Sequence, residues 1–280
     1  MGIVLVGALD LRAADDSEVV KGQKEAARAN WKILFINDPP ATEETAHFLL
    51  FGSQSMRPRQ LQELGASLEK QYSTARTALK IEPKEELWPG KLTVYLLEER
   101  SIFNTFMRTI ARKRPGADDS GVYSLTAPPF IAASPPQQKF QPTLEGQAGE
   151  QLATAILTKK CGQSLPDWFV AGFGRAVLWR SAPGAYFQER SQVKKLVRTC
   201  SAEDVWNNKP NAEEAALLRA SLVEFLAFGP GANYLGKFLE GLKPGENGQP
   251  KTTLDALKTV RADFPDTICK SWPAWVAKGR

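Results

Sequence analysis

A chain of 280 residues with 42% hydrophobic and 24% charged side chains has the composition of an ordinary globular protein, long enough to bury a sizeable core without disulfide or metal staples. Its net charge of +5 is mild and its basic residues are scattered, so attraction to anionic surfaces is permitted but no nucleic-acid partner is expected. With one histidine and three widely spaced cysteines, a zinc knuckle and any metal site built on two imidazoles are excluded.

The first stretch, residues 1–14, holds an apolar run from Gly2 to Leu9 followed by the small residues Ala13 and Ala14. This matches the hydrophobic core and cleavage site of a secretory signal lacking its basic leader, and predicts export to a periplasmic or extracellular space. A first β-strand or an unstructured end are the alternatives. The run is too short to cross a bilayer, and no transmembrane segment is expected elsewhere. Residues 15–45 read as a polar, helix-compatible lead-in. Residues 31–37 are either a short strand or its end, closed by Asp38-Pro39-Pro40.

Residues 46–52, Ala-His-Phe-Leu-Leu-Phe-Gly, have the apolar run of a strand. His47 has no partner motif and reads as a structural residue of that strand. From Pro58 to Leu79, Leu61, Leu64, Leu68, Tyr72, Ala75 and Leu79 recur at helical spacing, a core-facing stripe. A second strand is predicted over 91–97, and a second helix from Ser101, which is placed to cap it. Arg112-Lys113-Arg114 reads as a solvated basic turn. Residues 121–125 and 130–134 read as paired short strands joined across Pro128-Pro129, and 135–142 as a loop.

Next comes a helix from Gln147 with Leu152, Ala155, Ile156 and Lys159 on one face. Gly162 marks its stop, and Pro166 suits the first turn of a following helix. Beyond it the pattern is helical: 186–198 with Lys194, Lys195 and Arg198 on a wet face, then 212–228, 234–242, 253–260 and 264–276 carrying Trp272 and Trp275. Gly229-Pro230-Gly231 and residues 245–249 are turns. The predicted fold class is α+β: a small N-terminal mixed sheet with helices over 46–146, a central helix pair, and an all-helical lobe over 147–280, together one domain.

The helix pair carries a family resemblance. Leu165-Pro166-Asp167-Trp168-Phe169-Val170-Ala171-Gly172-Phe173-Gly174 resembles the Leu-Pro-x-Trp-Leu-x-Glu-Gly-Leu-Ala motif of the bacterial peptidase-MA-like family, secreted proteins of the gluzincin type. That family's preceding helix carries His-Glu-x-x-His. Laid on this chain, it falls on Gly149-Glu150-Gln151-Leu152-Ala153. The likeness extends over about residues 46–276, including Ser221-Leu-Val-Glu-Phe-Leu, a glycine turn and a terminal helix with tryptophan. It implies a gluzincin-like fold in which Gly149, Ala153 and Ala171 stand at vestigial zinc-ligand positions and Glu150 at a vestigial general-base position.

None of Gly149, Ala153 and Ala171 has a ligating side-chain atom. A catalytic zinc needs three protein ligands and an open place for water; without it, nothing lowers the pKa of that water or polarises a scissile carbonyl. No metal or other cofactor and no peptidase activity are therefore expected. What the resemblance leaves is a non-catalytic binding or scaffold module with a peptide-type cleft. Val122, Tyr123, Trp168 and Arg175 are its possible lining, and its edge strand is suited to an extended peptide or protein segment by strand addition. The alternative is a hydrolase using a carboxylate pair in the same cleft, Glu150 with Glu145 or Asp167.

Plainer readings stand beside these. Gly149, Ala153, Gly172 and Gly174 let helices approach closely, Trp168 is a core anchor, and Lys159, Lys160 or Arg175 fills the space of the ion. Cys161, Cys200 and Cys269 are small buried hydrophobes or, in an exported chain, two bonded and one free. The oligomeric state is not specified.

Overall fold

The computed structural model describes residues 7–136, 142–162, 165–244 and 251–279. The chain divides into two compact units, Met1–Glu69 with Glu86–Gln151, and Lys70–Glu85 with Leu152–Arg280.

The first unit is built on a five-stranded sheet in the order β1-β2-β3-β5-β4. Its strands are β1 (Ala41–Glu44), β2 (Phe48–Gly52), β3 (Leu92–Leu96), β4 (Gly121–Ser124) and β5 (Phe130–Ala133). The central strands β2, β3 and β5 run parallel, and β1 and β4 pair antiparallel at the two edges. Strands covered on both faces read as unbroken apolar runs, and β2 and β3 are buried at every residue. β1 is the opposite case. Ala-Thr-Glu-Glu has no apolar alternation, so the strand was invisible in the sequence. Pairing with β2 and the ion pairs of Glu44 with Lys24 (2.6 Å) and Lys91 (2.9 Å) hold it.

The helix-compatible lead-in forms helix α1 (Gly7–Leu34), which begins within the expected signal remnant. Residues 31–37 are its last turn and the bend after it, not a strand. Ala27 and Trp31 lie in a core cluster with Leu49, Phe51, Tyr95, Phe103, Phe106 and Val122. The buried stripe that seats α1 includes a polar side chain, which broke the apolar periodicity. Gln23 is buried because its amide is satisfied on both ends: Nε2 donates to Pro89 O at 2.9 Å, and Oε1 accepts from Lys91 N at 2.9 Å. Residues 7–14 of the expected signal remnant are helical in α1, and residues 1–6 lie outside the described residues.

Helix α2 (Pro58–Ala78) buries Leu61, Leu64, Leu68, Tyr72 and Ala75, the stripe its spacing predicts. Helix α3 (Arg100–Thr109) starts one residue before Ser101, after Glu99, whose side chain makes no capping bond. Ser101 is an exposed first-turn residue instead. Arg100 turns back to donate to the carbonyls of Gly116 (2.7 Å), Ala117 (3.1 Å) and Asp119, and so ties down the loop before β4.

In the second unit, α5 (Asp167–Ser181) lies against α8 (Ala212–Phe228). A β-carbon on Gly172 would fall 2.6 Å from the Arg219 carbonyl oxygen, so the two backbones nearly touch. α8 is apolar on most of its circumference, as an enclosed helix must be: Leu217, Leu218, Ala220, Leu222, Val223 and Leu226 are all buried. Around this pair stand α6 (Phe187–Leu196), α7 (Ala202–Trp206), a 3₁₀ turn (Ala232–Tyr234), α9 (Leu235–Gly241), α10 (Thr253–Val260) and α11 (Phe264–Ala277).

α7 had a readable start signal, a Ser201–Asp204 capping box. Lys209 and then Ser201 bond to Asp204 and pull its carboxyl down to about 2. Lys194, Lys195 and Arg198 are exposed, as expected. Cys161, Cys200 and Cys269 are half-buried free thiols, and burial pushes Cys161 up to about 11. Among the described residues no single helix is long and apolar enough to cross a membrane. The predicted turn at 245–249 and residues 137–141 of the predicted loop lie outside them.

Candidate functional site

Helix α4 (Leu144–Cys161) begins three residues before the predicted start and continues to its glycine stop. Its first half belongs to the first unit, where it lies beside β4. A β-carbon on Gly121 would come 2.6 Å from Cγ and Nε2 of Gln151, so only glycine lets strand and helix run this close without moving that side chain. Gln147, Ala148 and Gly149 are buried.

β4 is the terminal strand of the sheet. Ser134 N donates to Ser120 O at 2.8 Å, and Gly121 stands opposite Ala133. In an antiparallel pair successive residues alternate between bonding the partner and facing away. Val122 and Ser124 therefore bond β5, and the backbones of Gly121 and Tyr123 face the outer edge. The basic turn reaches this edge: Lys113 Nζ lies 3.5 Å from Tyr123 O and 5.7 Å from the centre of the Tyr123 ring. Val122 is 5% exposed and packs into the core, so of the two β4 residues predicted as cleft lining only Tyr123 is on the surface.

On α4, Gly149 and Ala153 are one turn apart and both buried, while Glu150 is half-buried. In α5, Ala171 is exposed. Positions 149, 153 and 171 thus carry only hydrogen or methyl as side chains. Among the described residues no three His, Cys, Asp or Glu side chains are gathered as a metal site. The residues present do not fit zinc, and no metal-assisted chemistry follows from them.

The other predicted lining residues belong to the interior of the second unit. Trp168 is 1% exposed; its indole N–H donates to Thr253 Oγ1 at 3.0 Å, and its ring packs on Phe169 and Phe238. It is the core anchor of the plainer reading. Arg175 is 4% exposed and forks onto Glu189 of α6, Nε to Oε2 at 3.0 Å and Nη2 to Oε1 at 2.9 Å. Lys160 is paired with Glu85 at 2.9 Å, and Lys159 is exposed.

Glu145 and Asp167, the partners for Glu150 in the alternative hydrolase, are exposed in the first turns of α4 and α5. Acidic residues suit that place because the helix N-terminus is partially positive. Neither has the enclosure that tunes a carboxyl for acid catalysis.

His47 sits just before β2, with Nδ1 2.6 Å from Glu69 Oε2; its backbone N–H donates to Glu69 Oε1 at 2.8 Å, and Thr45 Oγ1 to the same oxygen at 2.6 Å. Burial, the largest single influence on Glu69, raises its pKa, but the bonds from Thr45 and His47 together outweigh it and hold the carboxyl below the usual range. This cluster joins the β1–β2 turn to α2, in keeping with a structural role for His47. Sequence reasoning missed Glu69, because its partners are 22 and 24 positions away.

These observations define an α+β protein with a mixed sheet, a glycine-tight strand–helix contact at one edge, and a largely helical second unit. Comparison with known families and characterised proteins finds no match: no family model fits the chain, and no curated protein is similar to it.

Proposed function

We propose that the protein is a catalytically inactive, zinc-metallopeptidase-like module, exported from the cell, that binds an extended peptide or protein segment along β4. The observation that supports this reading is the Gly121–Gln151 contact, which sets the edge strand beside α4, the helix that carries Gly149 and Ala153. The outward-facing backbone of Gly121 and Tyr123 lies along the edge that strand addition uses, and a bound strand would compete with Lys113 for Tyr123 O. Catalysis is absent because the groups that would hold the ion are absent from the sequence.

The test is a screen of extended peptides against the purified protein by isothermal titration, with Tyr123→Pro as the control. Proline removes the outward N–H at that position. Binding that weakens about tenfold in the variant, with the circular dichroism spectrum unchanged and the peptides intact, supports the reading. Cleavage of any peptide by zinc-loaded protein, or binding indifferent to Tyr123→Pro, overturns it.

A further inference from the structure

A cavity of about 100 Å³ lies among α5, α6, α8 and α11 of the second unit, lined by none of the residues proposed above to bind peptide. Its polar wall is an enclosed ion pair. Glu224 is 3% exposed and accepts from Arg190 Nη2 at 2.5 Å; the same nitrogen donates to Trp179 O at 3.1 Å, and the guanidinium lies over the Trp179 ring at 5.5 Å. Trp275, Val193 and Phe187 make the apolar walls. Phe187 is 71% exposed, an aromatic ring left in water at the entrance. Lys194 stands at the same entrance, its Nζ 2.9 Å from where a β-carbon on Gly279 would be.

The charges decide what fits. Arg190 and Glu224 cancel each other. Among the described residues Lys194 has no carboxylate within ion-pair distance, so of the described side chains at the entrance it brings the positive charge not already paired. A ligand ammonium would face that charge and would find Glu224 already held by arginine. An inorganic anion would gain from Lys194 but would leave the walls of Trp275, Val193 and Phe187 unfilled. A cavity of about 150 Å³ accommodates benzene, so a smaller one with an open mouth takes a single ring, part of it at the entrance.

We infer that this cavity binds a small aromatic carboxylate, its ring against Trp275 and Phe187 and its carboxylate on Lys194. The site is independent of peptide binding at β4.

The probes are benzoate and, as its charge-reversed counterpart, benzylamine, followed by NMR of the tryptophan indole N–H signals in the full chain. Benzoate should bind saturably with a Kd of about 1 mM or tighter, shifting the signals of Trp179 and Trp275. Benzylamine should bind at least about tenfold more weakly. Lys194→Ala and Phe187→Ala, both at exposed positions of α6 where folding is not at stake, should each weaken benzoate about five- to tenfold. The inference fails if benzylamine binds as well as benzoate, if the shifts are confined to other tryptophans, if neither substitution changes the benzoate Kd, or if no saturation is reached.

Discussion

Arg175 and Glu189 are joined by two parallel hydrogen bonds inside the second unit, their side chains 5% and 18% exposed, and the Trp179 indole N–H adds a third bond to the same carboxylate at 2.8 Å. A fork of this kind fixes α6 on α5 in one orientation. Truncating one partner leaves the other charge enclosed without compensation, which costs about 3–5 kcal/mol. Arg175→Met should therefore lower the urea unfolding free energy by that amount. A loss under about 1 kcal/mol would show that solvent reaches Glu189 freely.

The two tight glycines should respond differently to the same substitution. In Gly172→Ala the new methyl meets the Arg219 carbonyl oxygen at 2.6 Å and Val223 Cγ2 at 2.7 Å; backbone cannot swing aside, so α5 and α8 must separate. A loss of about 2–3 kcal/mol is expected. In Gly121→Ala the methyl meets only the Gln151 side chain among its nearest neighbours, which can rotate. Alanine also restricts the unfolded chain more than glycine does, so the net change should stay within about 1 kcal/mol. Thermal melts of both variants measure the contrast; equal losses would mean Gln151 is as immobile as backbone.

Glu69 makes stability depend on acid pH. Its carboxyl titrates below the ordinary value of 4.5 in the folded chain, because the bonds from Thr45 and His47 outweigh the opposing effect of burial. The unfolded state then takes up the proton first as pH falls, and the stabilisation present above that ordinary value is lost progressively through the folded pKa. Glu69→Gln should cost about 1–2 kcal/mol near neutrality, and the gap to wild type should narrow below that value. Denaturant titrations at both ends of the range decide it; a gap that persists in acid would assign the effect to packing.

Zinc should not bind in stoichiometric amount. One imidazole exists in the chain, on His47, which is engaged by Glu69. After incubation with zinc and gel filtration, elemental analysis should find well under one ion per chain. A full equivalent would require a donor set other than positions 149, 153 and 171, and would undo the inactive reading.

The long elements were legible because their burial is one-sided or complete. α2 showed its stripe from Leu61 to Ala75, β2 and β3 showed unbroken apolar runs, and α10 (Thr253–Val260) matched its predicted bounds. Elements stabilised mainly by partners were not. β1 has no apolar side chain larger than alanine and depends on β2 and on Lys24 and Lys91. Whether residues 31–37 were a strand or the end of the lead-in stayed open, because the buried stripe of α1 includes Gln23, whose amide is satisfied by Pro89 and Lys91, 66 and 68 positions away. Trp168 and Arg175 looked equally fit for a cleft and for a core, since a sequence does not say which way an aromatic or a guanidinium turns.

The amino-acid sequence by itself determined which metal donors this chain can offer. With one histidine, and with glycine and alanine at positions 149, 153 and 171, no folding of the chain can assemble two imidazoles around a zinc ion. Only the tertiary structure decided which residues meet: that Gly121 lies on Gln151, that Arg175 is held by Glu189, and that Lys194 stands at the mouth of the cavity that Trp275 and Phe187 line. Side-chain identity limits which bonds can ever form, whereas proximity between residues far apart in the chain arises only when the core closes and brings them together.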